Sequence, residues 1–215
     1  MFQNNLLMAG GVSSPDATRE FASSAVSSAD ASVYTFSSQD IGTAGATRTI
    51  IVFIGYHNSG GGVLSGVTIG GEAMSKNFFY ADSHLKAESW QLAYPSGTSA
   101  DIVATFTTAS TRCGLGTWAA YDIGDYEDVD EAGYPTETLP LTMSAGSIGI
   151  GYMVNHSPNT GTTWTNMTER FTTVMDFTSH SGADNSSATD QTIDITCDWA
   201  TRDSGPFIVA SWPKA

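Results

Sequence analysis

Apolar and polar residues alternate with a period of two along most of this chain. In ESWQLAY, Trp90, Leu92 and Tyr94 fall on one face of an extended strand, with Ser89 and Gln91 on the other. In ADIVATFTT, Ile102, Ala104 and Phe106 share a face in the same way, and Pro-Ser-Gly-Thr-Ser marks the turn between the two segments. RTIIVFIGYH is the most apolar run and reads as a strand buried on both faces. SIGIGYMVN aligns Ile148, Ile150, Tyr152 and Val154, and TIDITCDW aligns Ile193, Ile195, Cys197 and Trp199. No interior helix and no repeat of fixed period is visible. About ten to twelve short strands at regular spacing predict an all-β fold, an antiparallel, jelly-roll-like β-sandwich of two sheets over residues 31–215. Its core is expected to hold Ile51, Phe53, Trp90, Leu92, Ile102, Phe106, Ile150 and Ile195.

Residues 1–30 have a different texture. After LLMAGGV the chain becomes rich in Ser and Ala, with few large side chains. Ser14-Pro15-Asp16 is a helix-opening signature that would put Phe21 and Ala25 on one side of a short helix, marginal by itself. The expectation is an extended N-terminal arm, ordered by a partner, whose Phe2, Leu6, Leu7, Met8 and Phe21 insert into a groove as interface anchors. Burial of such side chains at ~1.5–3 kcal/mol each offsets the ordering of the arm only if most of them are covered.

Composition narrows the function classes. The chain has 215 residues, of which only 14% are charged and 40% hydrophobic, with 22 glycines, so hydroxyls rather than ions make its surface polar. Its 22 acidic and 8 basic residues give a net charge of −14, which repels phosphate backbones and argues against nucleic-acid binding. The start lacks a basic region followed by a long apolar run, and no segment has the ~20 apolar residues that cross a bilayer. A protein made in a cytoplasm, without signal peptide or membrane insertion, is expected. Cys113 and Cys197 read as small buried apolar residues, free thiols rather than a bridge or a zinc site.

Candidate chemistry is sparse. The segment GDYEDVDEAGYPTETLP reads as a long acidic loop whose spacing does not match a calcium-binding loop, so neither a metal nor a cofactor is expected. Glu72, Glu88 and Glu169 lie in or near strands, but no spacing pairs two of them for glycoside hydrolysis. His57, His84, His156 and His180 are each isolated, and no G-x-S-x-G elbow is present. No catalytic residue is therefore assigned. Tyr126, Tyr134 and Trp164 sit in polar, Gly- or Pro-containing segments, where exposed rings could stack on a sugar or anchor an interface.

The opening NNLLMAGG, together with the block from VTIGGEAM through WQLAYPSGTSADIVATFTT to RCGLGTWAAYDI, resembles virion structural proteins of tailed bacteriophages, particularly marine ones. That resemblance implies a non-enzymatic β-sandwich of the head decoration, head fibre or tail-fibre type, located in the virion. It implies other virion proteins, capsid or tail subunits, as partners and homo-oligomers, trimers included. The competing class is a carbohydrate-binding or glycan-degrading module, whose partner would be a host-surface glycan.

Overall fold

The computed structural model describes residues 16–158, 161–201 and 203–215, and every element among them is a strand. The first half of the chain forms β1 (Thr18–Ser27), β2 (Ala31–Asp40), β3 (Arg48–His57), β4 (Leu64–Ile69), β5 (Glu72–Ala73), β6 (Ser75–Asp82), β7 (Leu85–Ala93), β8 (Ser99–Ser110) and β9 (Arg112–Tyr121). The second half forms β10 (Asp128–Ala132), β11 (Thr138–Met143), β12 (Ile148–Asn155), β13 (Thr162–Thr165), β14 (Thr168–Met175), β15 (Thr178–Ser186), β16 (Gln191–Trp199) and β17 (Phe207–Trp212).

These strands build four antiparallel sheets rather than the two expected. Sheet 1 has the order β2-β8-β4-β5, sheet 2 β1-β9-β3-β7-β6, sheet 3 β10-β17-β12-β15-β14 and sheet 4 β11-β16-β13. Three cores separate them. Tyr34, Ile50, Val52, Ile54, Ile102 and Phe106 fill the space between sheets 1 and 2. Ile51, Phe53, Trp118, Ile150, Tyr152 and Trp212 lie between sheets 2 and 3. Leu139, Leu141, Met153, Ile195, Cys197 and Phe207 lie between sheets 3 and 4. Sheets 2 and 3 are thus covered on both faces, which is why β3, β9, β12 and β17 read as near-continuous apolar runs. Of the expected core, all but Leu92 are buried, and Leu92 is partly so. Cys113 and Cys197 are buried and not bridged to each other, and they belong to different cores two sheets apart.

Each half has jelly-roll connectivity, with successive strands passing between its two sheets. Replacing β1, β9, β3, β7 and β6 by β10, β17, β12, β15 and β14 turns the order of sheet 2 into that of sheet 3. The same correspondence takes β2-β8-β4 into β11-β16-β13. A bulge fixes the match residue by residue. The β6–β7 register slips between Lys76 and Phe78, and the β14–β15 register slips between Glu169 and Phe171. Pairing outward from it makes Phe78 equivalent to Phe171, Glu88 to Ser181, Gln91 to Asp184 and Phe53 to Tyr152.

The two jelly rolls meet back to back around a pseudo-twofold axis between β3 and β12. Equivalent residues pair with each other there: Phe53 stacks on Tyr152 at 5.4 Å and His57 on His156 at 5.6 Å. Off the axis the equivalent residues Gln91 and Asp184 each accept from a tryptophan of the other half, although Trp212 lies two residues beyond the counterpart of Trp118. Trp118 Nε1 donates to Asp184 Oδ2 at 2.9 Å, and Trp212 Nε1 donates to Gln91 Oε1 at 3.2 Å. The halves approach closely because glycines leave room. A Cβ on Gly182 would strike the rings of Phe171 and Trp118, and one on Gly55 would strike Tyr152 and Val154.

Two further expectations are corrected here. Residues 18–27 are not part of a free arm or a helix, because β1 pairs with β9 along its length and forms an edge of sheet 2. Phe21 is accordingly an internal residue, 5.4 Å from the Phe171 ring and 5.5 Å from Trp118. The sandwich thus begins inside the segment 1–30. Phe2, Leu6, Leu7 and Met8 lie outside the described residues. The acidic segment after Gly124 is likewise more than a loop, since it contains β10, paired with β17, and the start of β11. Its carboxylates tie strands together: Asp128 Oδ2 accepts from the Thr142 amide at 2.6 Å and Glu127 Oε1 from the Ser144 amide at 3.0 Å.

Candidate functional site

Sheet 1 is narrower than sheet 2 and ends in the two-residue β5, so part of β6 and β7 is left overhanging. A cleft of about 270 Å³ opens there, lined by Tyr56, Val63, Lys76, Phe79, Lys86 and Glu88. Strand alternation puts Lys86 and Glu88 on the sheet 1 side of β7, beside Tyr56 at the end of β3. Phe79 comes from the edge strand β6, and Val63 from just before β4. These two form the mouth and are 56% and 49% exposed.

The floor is charged. Glu88 is 1% exposed, and its Oε1 accepts a 2.8 Å hydrogen bond from the Tyr56 hydroxyl. Burial first, and then the negative charge of Glu88, push the Tyr56 hydroxyl well above its usual range, so it stays protonated and donates. Lys76 Nζ lies 2.9 Å from Glu88 Oε2, off the direction of a hydrogen bond, so this buried oxygen has a charge partner but no hydrogen bond. The same ammonium sits 5.1 Å from the Trp90 ring and 5.5 Å from the Phe79 ring, within cation–π range of both.

The second jelly roll has the corresponding positions closed. Glu169, Thr172 and Ser181 stand where Lys76, Phe79 and Glu88 stand in the first. Thr162 on β13, the counterpart of β4, donates to Glu169 Oε2 at 2.7 Å. Thr172 Oγ1 is placed 3.1 Å from Glu169 Oε1 and 2.9 Å from Ser181 Oγ, and Trp164 Nε1 donates to Ser181 at 2.8 Å. On β4 the inward residues are Leu64, Val67 and Ile69, none as large as Trp164.

The rings singled out from sequence separate. Trp164 is half-buried and packs against the core between sheets 3 and 4, edge-on to Phe207 at 5.8 Å. Its polar flanks mislead because β13 is short and its other three residues are threonines. Tyr126 and Tyr134 are 42% and 50% exposed, but neither lines the cleft. Tyr126 packs edge-on against Phe78, on the opposite face of β6 from Phe79. The Tyr134 amide donates to Asp82 Oδ2 at 2.9 Å.

Three of the isolated histidines do assemble. His57 stacks on His156 and lies 6.0 Å from His84, while its Nδ1 is 2.7 Å from Thr111 Oγ1. Among the described residues, no group of three His, Cys, Asp or Glu side chains could hold a metal ion. Burial, and then the neighbouring His156, His84 and Arg112, push the His57 imidazole below its ordinary range.

Sequence reasoning listed Glu88 only as one acidic residue among several. Its company could be found only through the pairing that brings Tyr56, Lys76 and Phe79 to it. The fold and cleft together define a tandem jelly-roll protein with a small, mostly apolar cleft among the described residues. Comparison with protein-family models, curated proteins and solved structures gives no match.

Proposed function

We propose that this chain is a non-enzymatic structural component of a virion, of the tailed-phage type that its sequence resembles. Its first fifteen residues dock on capsid or tail subunits, or on sister copies in a trimer, and the double jelly roll is presented outward. The observation that carries this reading is the placement of chain exit and cleft. The described residues begin at Asp16, where Lys214 Nζ lies 3.6 Å from the Asp16 carboxylate and the Ala17 amide donates to Gly146 O. Thr18 pairs with Tyr121, which pairs with Arg48 at the start of β3, whereas the cleft lies beside Ile54 and Tyr56 near its end. Entry and cleft therefore occupy opposite corners of sheet 2, about seven residues at ~3.3 Å apart along the strands and three strand spacings of ~4.8 Å across.

The large buried charges also act as braces. Arg48 is 1% exposed and donates to four backbone carbonyls, those of Ile41, Gly42, Tyr94 and Ser96. Asp184 holds Arg19 from β1 and Arg170 from β14 in one ion cluster.

The test is made on particles purified from cultures that produce the chain. Quantitative mass spectrometry is expected to find it at stoichiometric copy number with capsid or tail proteins, and to find a version lacking residues 2–15 in the unassembled fraction. Recovery of the full chain only outside particles would refute the proposal.

A further inference from the structure

We propose that the cleft of the first jelly roll is a binding site for a single neutral sugar ring, either a free monosaccharide or the terminal residue of a glycan. This goes beyond the docking role and stands or falls separately from it.

The argument starts from what each wall asks of an occupant. Phe79 offers a half-exposed aromatic face at the mouth, suited to the C–H face of a ring. Glu88 Oε2 has Lys76 Nζ as its charge partner at 2.9 Å and no hydrogen bond, so the carboxylate keeps lone pairs for a further donor. Lys76 and Lys86 supply ammonium donors and ask for acceptors. A simple hydrocarbon would leave those lone pairs unused. An organic cation would meet two lysines, and an anion would meet the buried carboxylate at the floor. A polyhydroxylated ring answers all three demands, because each hydroxyl can both donate and accept. The volume of about 270 Å³ is below the usual range for drug-sized ligands and suits one ring of about a dozen non-hydrogen atoms.

The second jelly roll provides an internal control. There, protein hydroxyls from Thr162 and Thr172 already engage the Glu169 carboxylate, and Ser181 takes the place of Glu88. The chain fills its own site with hydroxyl groups in one half and leaves the matching site open, with a buried carboxylate, in the other. The proposed ligand supplies from outside the hydroxyls that threonines supply from within.

The experiment is saturation-transfer NMR on the full chain with glucose, galactose, mannose and N-acetylglucosamine, each also as its methyl glycoside, and with benzylamine and benzoate as charged controls. A ligand of this size is expected to bind with a dissociation constant on the order of 1 mM. At least one sugar should show saturation of its ring protons. Binding of the methyl glycoside would point to a glycan terminus, and binding of the reducing sugar alone to a free monosaccharide. Phe79→Ala should weaken binding roughly tenfold, the scale of one lost ring contact. Glu88→Gln should abolish it. Phe79 is exposed on an edge strand, so its variant folds normally and decides the matter even if the Glu88 variant does not fold. Absence of signal from all four sugars, sugar binding that survives Phe79→Ala unchanged, or benzylamine or benzoate binding more tightly than any sugar would each overturn the proposal.

Discussion

Asp184 shows how one residue joins the two jelly rolls. Its side chain is fully buried, and it accepts from Arg19 Nε at 2.5 Å, from Arg170 Nε and Nη2 at 2.8 Å, and from Trp118 Nε1. Removing the carboxylate leaves two guanidinium groups and an indole N–H without their acceptor. Breaking such a buried pair costs about 3–5 kcal/mol. Asp184→Ala is therefore expected to lower the urea midpoint strongly, whereas Gln91→Ala, at the equivalent position with a single neutral hydrogen bond, should cost about 1 kcal/mol. Equal losses from the two variants would show that the ion cluster is not a brace. His180 sets the acid limit. Full burial pushes its imidazole down to about 3, with Nδ1 held 2.6 Å from the Tyr152 hydroxyl. The fold thus keeps His180 neutral while the unfolded chain protonates it near 6.5, so the unfolded state binds more protons between these values. Its contribution to stability is complete above about pH 6.5 and is lost as pH falls toward 3. His57, also pushed down, adds in the same direction. Urea midpoints measured from pH 8 to pH 4 should fall below 6.5, and a His180→Phe variant that still folds should show a flatter profile.

At the scale of elements, β1 is the first strand among the described residues. It gives sheet 2 its edge, Phe21 to the central core and Arg19 to Asp184. Deleting residues 2–15 is expected to leave thermal unfolding within a few degrees of the full chain, and deleting residues 2–30 to abolish cooperative unfolding in calorimetry. A fully folded 31–215 fragment would contradict this assignment. The strand was hard to read because TREFASSAVS carries one large ring, and its small residues suit a close pairing rather than a visible apolar face. Where both faces of a strand are buried, as in RTIIVFIGYH, period and composition agree and the element is plain. The duplication was hidden for another reason. The interval between Phe53 and Tyr152 differs from that between Phe78 and Phe171, so no single offset superposes the halves, and matched pairs such as Glu88 and Ser181 or Gln91 and Asp184 differ in kind. The cleft was legible only in pieces, because Tyr56, Lys76 and Glu88 meet through strand pairing and not through sequence spacing. Trp164 was misread for the converse reason: threonines surround it in sequence, but a core surrounds it in space.

At the scale of the whole molecule, the central core is made by both halves and completed by neither. Ile51, Phe53 and Trp118 on one side meet Ile150, Tyr152 and Trp212 on the other. Burial at ~1.5–3 kcal/mol for each large side chain makes this interface indispensable to both. Fragments 16–124 and 125–215, expressed together, are expected to copurify as a one-to-one complex, and each alone to aggregate through its uncovered face. Two independently stable monomers would show instead that the halves are separate domains on a linker. Within this slab the described chain begins at one corner, beside Lys214, and the cleft opens at the opposite one. Cryo-electron microscopy of purified particles carrying the full chain tests this arrangement most directly. The double jelly roll should appear with the Asp16–Lys214 corner against the capsid or tail and the Phe79–Glu88 cleft facing solvent. Density with the cleft buried against the particle, or particles with no density for the chain, would contradict it.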